Sequence, residues 1–169
     1  MSDKIYNVLF LCTGNSARSV MAETLLNRWG KGRFQAFSAG SHPTRTINPF
    51  TLDLLTLVKL STEGLRSKSW DEFTAAGAPV MDFVFTVCDQ EAGEVCPIWP
   101  GQPISAHWGF PDPAAFVGPT VEKRAYFVDV FRQIETRIRN FTALPIEKLG
   151  RLAIQHEVEK LGERRLQKA

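Results

Sequence analysis

The 169 residues are enough for one domain with a substantial core, and 44% apolar with 22% charged residues lies in the ordinary range for soluble proteins. Formal charge is +2, from 20 Lys/Arg and 18 Asp/Glu. From Leu144 onward six basic residues stand against four acidic ones, leaving 14 of each in the body, so no clustered basic footprint for nucleic acid exists. No apolar run approaches the roughly 18 residues of a membrane span, and residues 1–7 lack the basic-then-apolar pattern of a leader. The expectation is a cytoplasmic protein that binds any anion through local backbone and one or two side chains.

In chain order, residues 5–11 form a near-continuous apolar run, as in a strand buried on both faces of a parallel sheet. Residues 19–29 place Val20, Met21, Leu25, Leu26 and Trp29 near helical spacing, stopped at Gly30. Residues 34–38 read as a second strand, a helix begins at Pro49, and residues 70–76 read as a short helix. Residues 82–88 are the clearest central strand after the first. Seven of the ten prolines fall between Pro79 and Pro119, marking a long loop of functional character with a short strand at 104–108 inside it. Residues 121–141 form a long helix with an apolar stripe, and the tail from Pro145 is charged and helical. Strand–helix alternation predicts an α/β three-layer sandwich around a mostly parallel four-stranded sheet. The expected division is a catalytic domain over 1–144 and a C-terminal extension over 145–169.

The chemistry concentrates after the first strand. Cys12 stands where ligands sit in open α/β sheets, outside the carboxyl end of a strand. Thr13, Gly14, Asn15, Ser16 and Ala17 are small enough for their N–H groups to curl around an anion, and the next helix adds its positive end. These dipoles and Arg18 favour thiolate over thiol, and the guanidinium can fork two oxygens of a tetrahedral anion. Neither G-x-G-x-x-G nor G-x-x-x-x-G-K-[ST] is present. The bland alternative makes Cys12 a small buried hydrophobe at a strand end.

The stretch Cys12-Thr13-Gly14-Asn15-Ser16-Ala17-Arg18-Ser19 resembles the active loop of low-molecular-weight protein tyrosine phosphatases and of the arsenate reductases that share their fold. The resemblance continues through residues 37–40, the strand end at Val87-Cys88, and residues 107–113, covering about residues 5–142. It implies the low-molecular-weight phosphatase fold, with Cys12 as nucleophile and Arg18 as oxyanion clamp. It makes Ser19 the hydrogen-bond donor to the thiolate and Asp112 the proton donor to the leaving oxygen. An Asp in a Pro-rich loop suits that last role chemically, although Asp-Pro alone is commonly just a turn.

Two activities follow from this resemblance. A phosphatase lets water hydrolyse a cysteinyl phosphate, whereas an arsenate reductase brings a second thiol onto the Cys12 sulfur, releasing arsenite and leaving a disulfide. Cys88 at a strand end and Cys96 eight residues later supply a relay, and Ala114 and Ala115 replace the aromatic residues expected after Asp-Pro in a phosphotyrosine slot. Arsenate reduction is the expectation, with a phosphatase as runner-up and a non-catalytic oxyanion-binding module third. Relative to the thioredoxin-coupled members, the Cys88–Cys96 segment is one residue longer and Ala17 stands where a cysteine is frequent. Residues 96–101 resemble the glutathione/glutaredoxin branch more. No tightly bound cofactor is expected, only a thiol reductant, glutathione with glutaredoxin or else thioredoxin, and a monomer or homodimer. Some thioredoxin-coupled members hold potassium at positions matched by Asn15, Glu23, Ser38 and Asp71; the alternative there is a hydrogen-bond network that positions the loop. A zinc site from Cys88, Cys96 and His107 lacks a fourth ligand and is rejected.

Overall fold

The computed structural model describes residues 4–87 and 99–163. Strand β1 (Tyr6–Cys12) is central in a four-stranded sheet ordered β2-β1-β3-β4, with β2 Phe34–Gly40, β3 Phe83–Thr86 and β4 Ile104–His107. All three pairings are parallel. The continuous apolar run of β1 is needed because both of its faces are covered: Val8, Leu9 and Phe10 are fully buried. The chain leaves β1 for β2 on one side and reaches β3 on the other. The sheet therefore switches direction beside β1, where the end of that strand opens a crevice.

The α-helices among the described residues are α1 Arg18–Trp29, α2 Pro49–Leu57, α3 Thr120–Thr142 and α4 Arg151–Glu163. Their buried residues join one core with Val8, Phe10 and Cys12. The stripe of α3 (Phe127, Val130, Phe131, Ile134, Ile138, Phe141) lies in it as its spacing predicts. The opposite face, with Leu9, Leu11 and Val84, is covered among the described residues by Phe73, Met81 and Trp99, with Trp70 against them. The two layers flanking the sheet are thus unequal, a helical one and a thin one.

Several boundaries differ from the sequence reading. Strand β2 extends two residues beyond the predicted 34–38 because Ala39 and Gly40 still pair with Leu11 and Cys12. The helix expected at 70–76 is a single 3₁₀ turn, Trp70–Phe73, begun by Ser69 Oγ accepting from Asp71 N at 3.1 Å. Strand β3 starts at Phe83, after Asp82, whose N–H donates to Asn7 O and whose Oδ2 accepts from Asn7 N, each at 2.8 Å. Trp99 packs in the thin layer, whereas Trp108 and Phe110 lie in the helical core.

The tail is helical as expected, and it packs tightly. Ile154, Val158 and Leu161 enter the main core. The Trp108 indole N–H donates to Val158 O at 3.0 Å, and Gln155 Nε2 to Ser105 O at 2.9 Å. A Cβ on Gly162 would fall 2.3 Å from His107 O, so only glycine admits this approach of α4 to the end of β4. Helix α4 thereby lies along β4, the edge of the sheet.

Candidate active site

The segment after β1 is shaped from outside. Its carbonyls are taken by neighbouring donors: Thr13 O by His42 N (2.9 Å), Gly14 O by Thr44 N and Ser67 Oγ (both 3.0 Å), and Ser16 O by Asn48 N and Thr51 Oγ1 (both 3.1 Å). With the carbonyls drawn outward, the intervening N–H groups are left to face the other way. That is the arrangement a backbone anion cradle requires. Asn15, fully buried at φ +48°, supplies the left-handed residue that curls the segment. Its Nδ2 donates to Ser19 Oγ at 2.8 Å and its Oδ1 accepts from Lys68 N at 2.9 Å. Since Ser19 Oγ accepts from Asn15, the Ser19 proton remains to be given elsewhere.

Gly40 makes the second close approach. It pairs with Cys12 across β1 and β2, and a Cβ there would lie 2.4 Å from Thr13 O and 2.9 Å from Cys12 O. Cys12 itself is 8% exposed at the floor of this arrangement. Helix α1 opens on Arg18, with no side-chain cap from Ala17 and no acid in its first turn. Its terminal N–H groups and dipole are therefore directed to whatever anion the loop holds.

Arg18 is 7% exposed and is held from the far end of the sheet. Its Nη1 donates to Phe110 O at 2.9 Å and its Nη2 lies 3.6 Å from Asp112 Oδ2. Arg18, at the start of α1 just after the Cys12 loop, is thus joined to Asp112, 94 positions further along the chain. The Asp112 side chain is 38% exposed. Its Oδ1 accepts from Ala114 N at 3.0 Å, starting the 3₁₀ turn Pro113–Ala115. The turn predicted from Asp-Pro and the role at Arg18 coexist, one carboxylate oxygen for each. Phe110 is fixed in turn by the Arg137 guanidinium from α3, 4.7 Å over its ring.

Sequence reasoning missed the residue behind the loop. Lys68 joins Asn15 through its N–H, and its Nζ lies 4.0 Å from Glu23 Oε1, which accepts from Ser38 Oγ at 2.5 Å. The Lys68 and Glu23 side chains are only 10% and 17% exposed. Burial pushes the Glu23 carboxyl up, opposed by the Ser38 hydrogen bond and by Lys68 and Arg66. Burial likewise pulls the Lys68 ammonium down, opposed chiefly by Glu23. Of the four residues matched to a potassium site, Asn15, Glu23 and Ser38 therefore share a network already occupied by an ammonium group. Asp71 is exposed, within its own 3₁₀ turn. A potassium ion about 4 Å from that ammonium would meet a repulsion of about 4 kcal/mol at an effective dielectric of about 20. The residues present do not fit a bound ion beside Lys68. Nothing in the sequence pattern marks Lys68, which reaches Asn15 across 53 positions.

Cys88 and Cys96 lie outside the described residues. Among the described residues no group of three His, Cys, Asp or Glu could hold a metal, and no helix is long and apolar enough to cross a membrane. His107 Nδ1 instead contacts Thr86 Oγ1 at 2.7 Å.

Comparison with known proteins places this geometry. A family model described as low molecular weight phosphotyrosine protein phosphatase matches residues 7–152. The chain belongs to this family. Within it, the chain is 34% identical over 141 residues to an arsenate reductase of Bacillus subtilis (strain 168), covering 83% of this chain and 96% of that one. It is 37% identical over 145 residues to an arsenate reductase of Oceanobacillus iheyensis, with the same coverage. A crystal structure of arsenate reductase from Archaeoglobus fulgidus superposes with a TM-score of 0.66 at 28% identity, over 81% of this chain and 99% of that one. These relatives are matched almost end to end while 17–19% of this chain lies beyond the match. The family match itself stops at Leu152, near the start of α4.

Proposed function

We propose that the chain reduces arsenate to arsenite with thiols as the source of electrons. The reading rests on one convergence: a cysteine at the end of β1, Arg18 six residues after it at the start of α1, and Asp112, 94 positions further on, against that guanidinium. That set serves phosphoryl and arsenyl transfer equally. Similarity to proteins named arsenate reductase over four-fifths of the chain favours the second, and Ala114 and Ala115 in place of aromatic residues after Asp112-Pro113 agree with it.

In the proposed sequence arsenate enters the cradle of Thr13, Gly14, Asn15, Ser16 and Ala17, and two of its oxygens are gripped by Arg18. The Ser19 proton, the loop dipoles and Arg18 hold Cys12 as thiolate. Sγ attacks arsenic, an As–O bond breaks, and Asp112 gives the departing oxygen its proton so that water leaves. Cys88 thiolate then attacks Cys12 Sγ. The S–As electron pair passes to arsenic, which falls from As(V) to As(III), and two thiols become a disulfide. Cys96 receives that disulfide, or glutathione takes the place of the relay, and glutaredoxin or thioredoxin returns the two electrons.

The test is a paired assay on purified, reduced protein. Arsenate-dependent NADPH consumption with a thioredoxin or a glutathione–glutaredoxin recycling system is the expected result, abolished by Cys12→Ser. Turnover of an aryl phosphate without arsenate reduction would instead make the chain a phosphatase. Cys88→Ser and Cys96→Ser at the parent rate with glutathione would remove the intramolecular relay while leaving attack by Cys12 intact.

A further inference from the structure

The Glu23–Lys68 pair has no part in the chemistry above, yet it is tied to the loop that performs it. Glu23 stands on α1 beneath the loop and accepts from Ser38 of β2. Lys68 bonds through its main chain to both partners of the cradle, donating from N to Asn15 Oδ1 and accepting at O from Gly40 N, each at 2.9 Å. Its ammonium lies against Glu23 and also donates to Arg66 O at 3.1 Å. Asn15 passes the constraint to Ser19 Oγ. A nearly buried carboxylate at this place needs a positive charge beside it, and here the charge is covalently part of the chain.

We propose that Lys68 is the resident cation of this site: its ammonium fills the place of a monovalent metal ion, so that the loop is set without one. Lys68 is then a positioning residue for Asn15, Ser19 and Cys12, not a catalytic one. The assignment refines the proposed function but does not depend on arsenate being the substrate, because its consequences are readable in the resting protein. The other charged groups facing the pair are Arg66 and Glu72, which bind each other (2.8 and 3.3 Å); Arg66 also acts on Glu23, after Lys68.

The experiment compares wild type and Lys68→Met in about 100 mM choline, sodium or potassium chloride, conditions of equal screening. Two readouts need no substrate: melting temperature and the rate of Cys12 alkylation. Arsenate reduction is the third. Wild type is expected to be indifferent to the cation in all three. Lys68→Met is expected to lose roughly tenfold or more in Cys12 alkylation and in turnover in choline, and to recover most of it in potassium, with a rise in melting temperature. Lys68→Met/Glu23→Gln, which has no buried charge to balance, is expected to be indifferent again. If Lys68→Met fails to fold in choline, folding on addition of potassium serves as the same readout. A wild type stabilised by potassium over choline overturns the proposal, and so does a Lys68→Met protein that gives no cation response by melting or alkylation. Loss of arsenate turnover alone, with the melting and alkylation responses as expected, would overturn the substrate assignment and leave Lys68 in place.

Discussion

Gly40→Ala separates the effect of the cradle's shape from that of its chemistry, because it adds one methyl group and removes nothing. The new Cβ would lie 2.4 Å from Thr13 O and 2.9 Å from Cys12 O. Carbon–oxygen contacts of this kind below 3.0 Å are essentially never found, so the backbone must yield by about 0.6 Å (the difference between 3.0 and 2.4 Å). Neither atom is a flexible side chain, since both belong to the end of β1 and the first peptide of the loop. Overpacking against a fixed backbone costs about 1–3 kcal/mol, and for a chain of this size about 2–4 °C of melting temperature accompanies each kcal/mol. A displacement approaching 1 Å at the attacking sulfur is expected to lower kcat/KM by roughly 100-fold. Calorimetry and steady-state arsenate reduction give the two numbers. Gly150→Ala is the control, with open space around its Cβ and no left-handed backbone, and is expected to leave both unchanged. A Gly40→Ala protein with parent kcat/KM and parent melting temperature would refute the claim that the approach of β2 to Thr13 O fixes the loop.

Arg18→Lys keeps the charge but can satisfy only one of Phe110 O and the paired anion oxygens, removing at least one charge-assisted bond of about 1.5–3 kcal/mol, or roughly 10- to 100-fold in kcat/KM and in phosphate inhibition. Trp108→Phe loses the bond to Val158 O and part of the ring that stacks 3.9 Å from Phe85, and is expected to cost about 1–3 kcal/mol by chemical denaturation. For Glu23 the folded chain holds the proton more tightly than the unfolded one, whose value is near 4.5. The stability this contributes is complete below that value and is lost as pH rises through the folded one. Wild type is therefore expected to lose melting temperature relative to Glu23→Gln as pH rises above about 4.5, and a gap moving the other way would contradict the direction of the shift.

The part of the site that follows directly from local pattern was legible in the sequence. A strand buried on both faces must be apolar throughout, so residues 5–11 announced β1, and the small residues after Cys12 announced a tight loop, in which Asn15 takes φ +48°. The stripe of α3 was visible for the same reason, since one helix face must enter the core. What could not be read depends on neighbours distant in sequence. The outward pull on the loop carbonyls comes from Thr44, Asn48, Thr51 and Ser67, polar residues with no periodicity to mark them. The charged, helical tail was visible in the sequence, but the surface that receives its Ile154, Val158 and Leu161 became visible only with the approach of Gly162 to His107 O. At residues 70–76 the pattern resembled a helix, yet Ser69 caps a single turn and the chain then passes Gly77 at φ +87°.

The outward-held carbonyls also bear on discrimination. Because each is already engaged by the protein's own donors, an anion bound as proposed would meet amides already set in place, which match tetrahedral shape and negative charge, not the identity of the central atom. Phosphate, with the same four corners, is admitted on the same terms. A chain built this way can be selective only after capture, in whether the sulfur adduct can be taken apart by another sulfur. On the proposed function, abundant phosphate would occupy the loop as a reversible visitor, and arsenate reduction would run at a rate set by how often the loop is vacant.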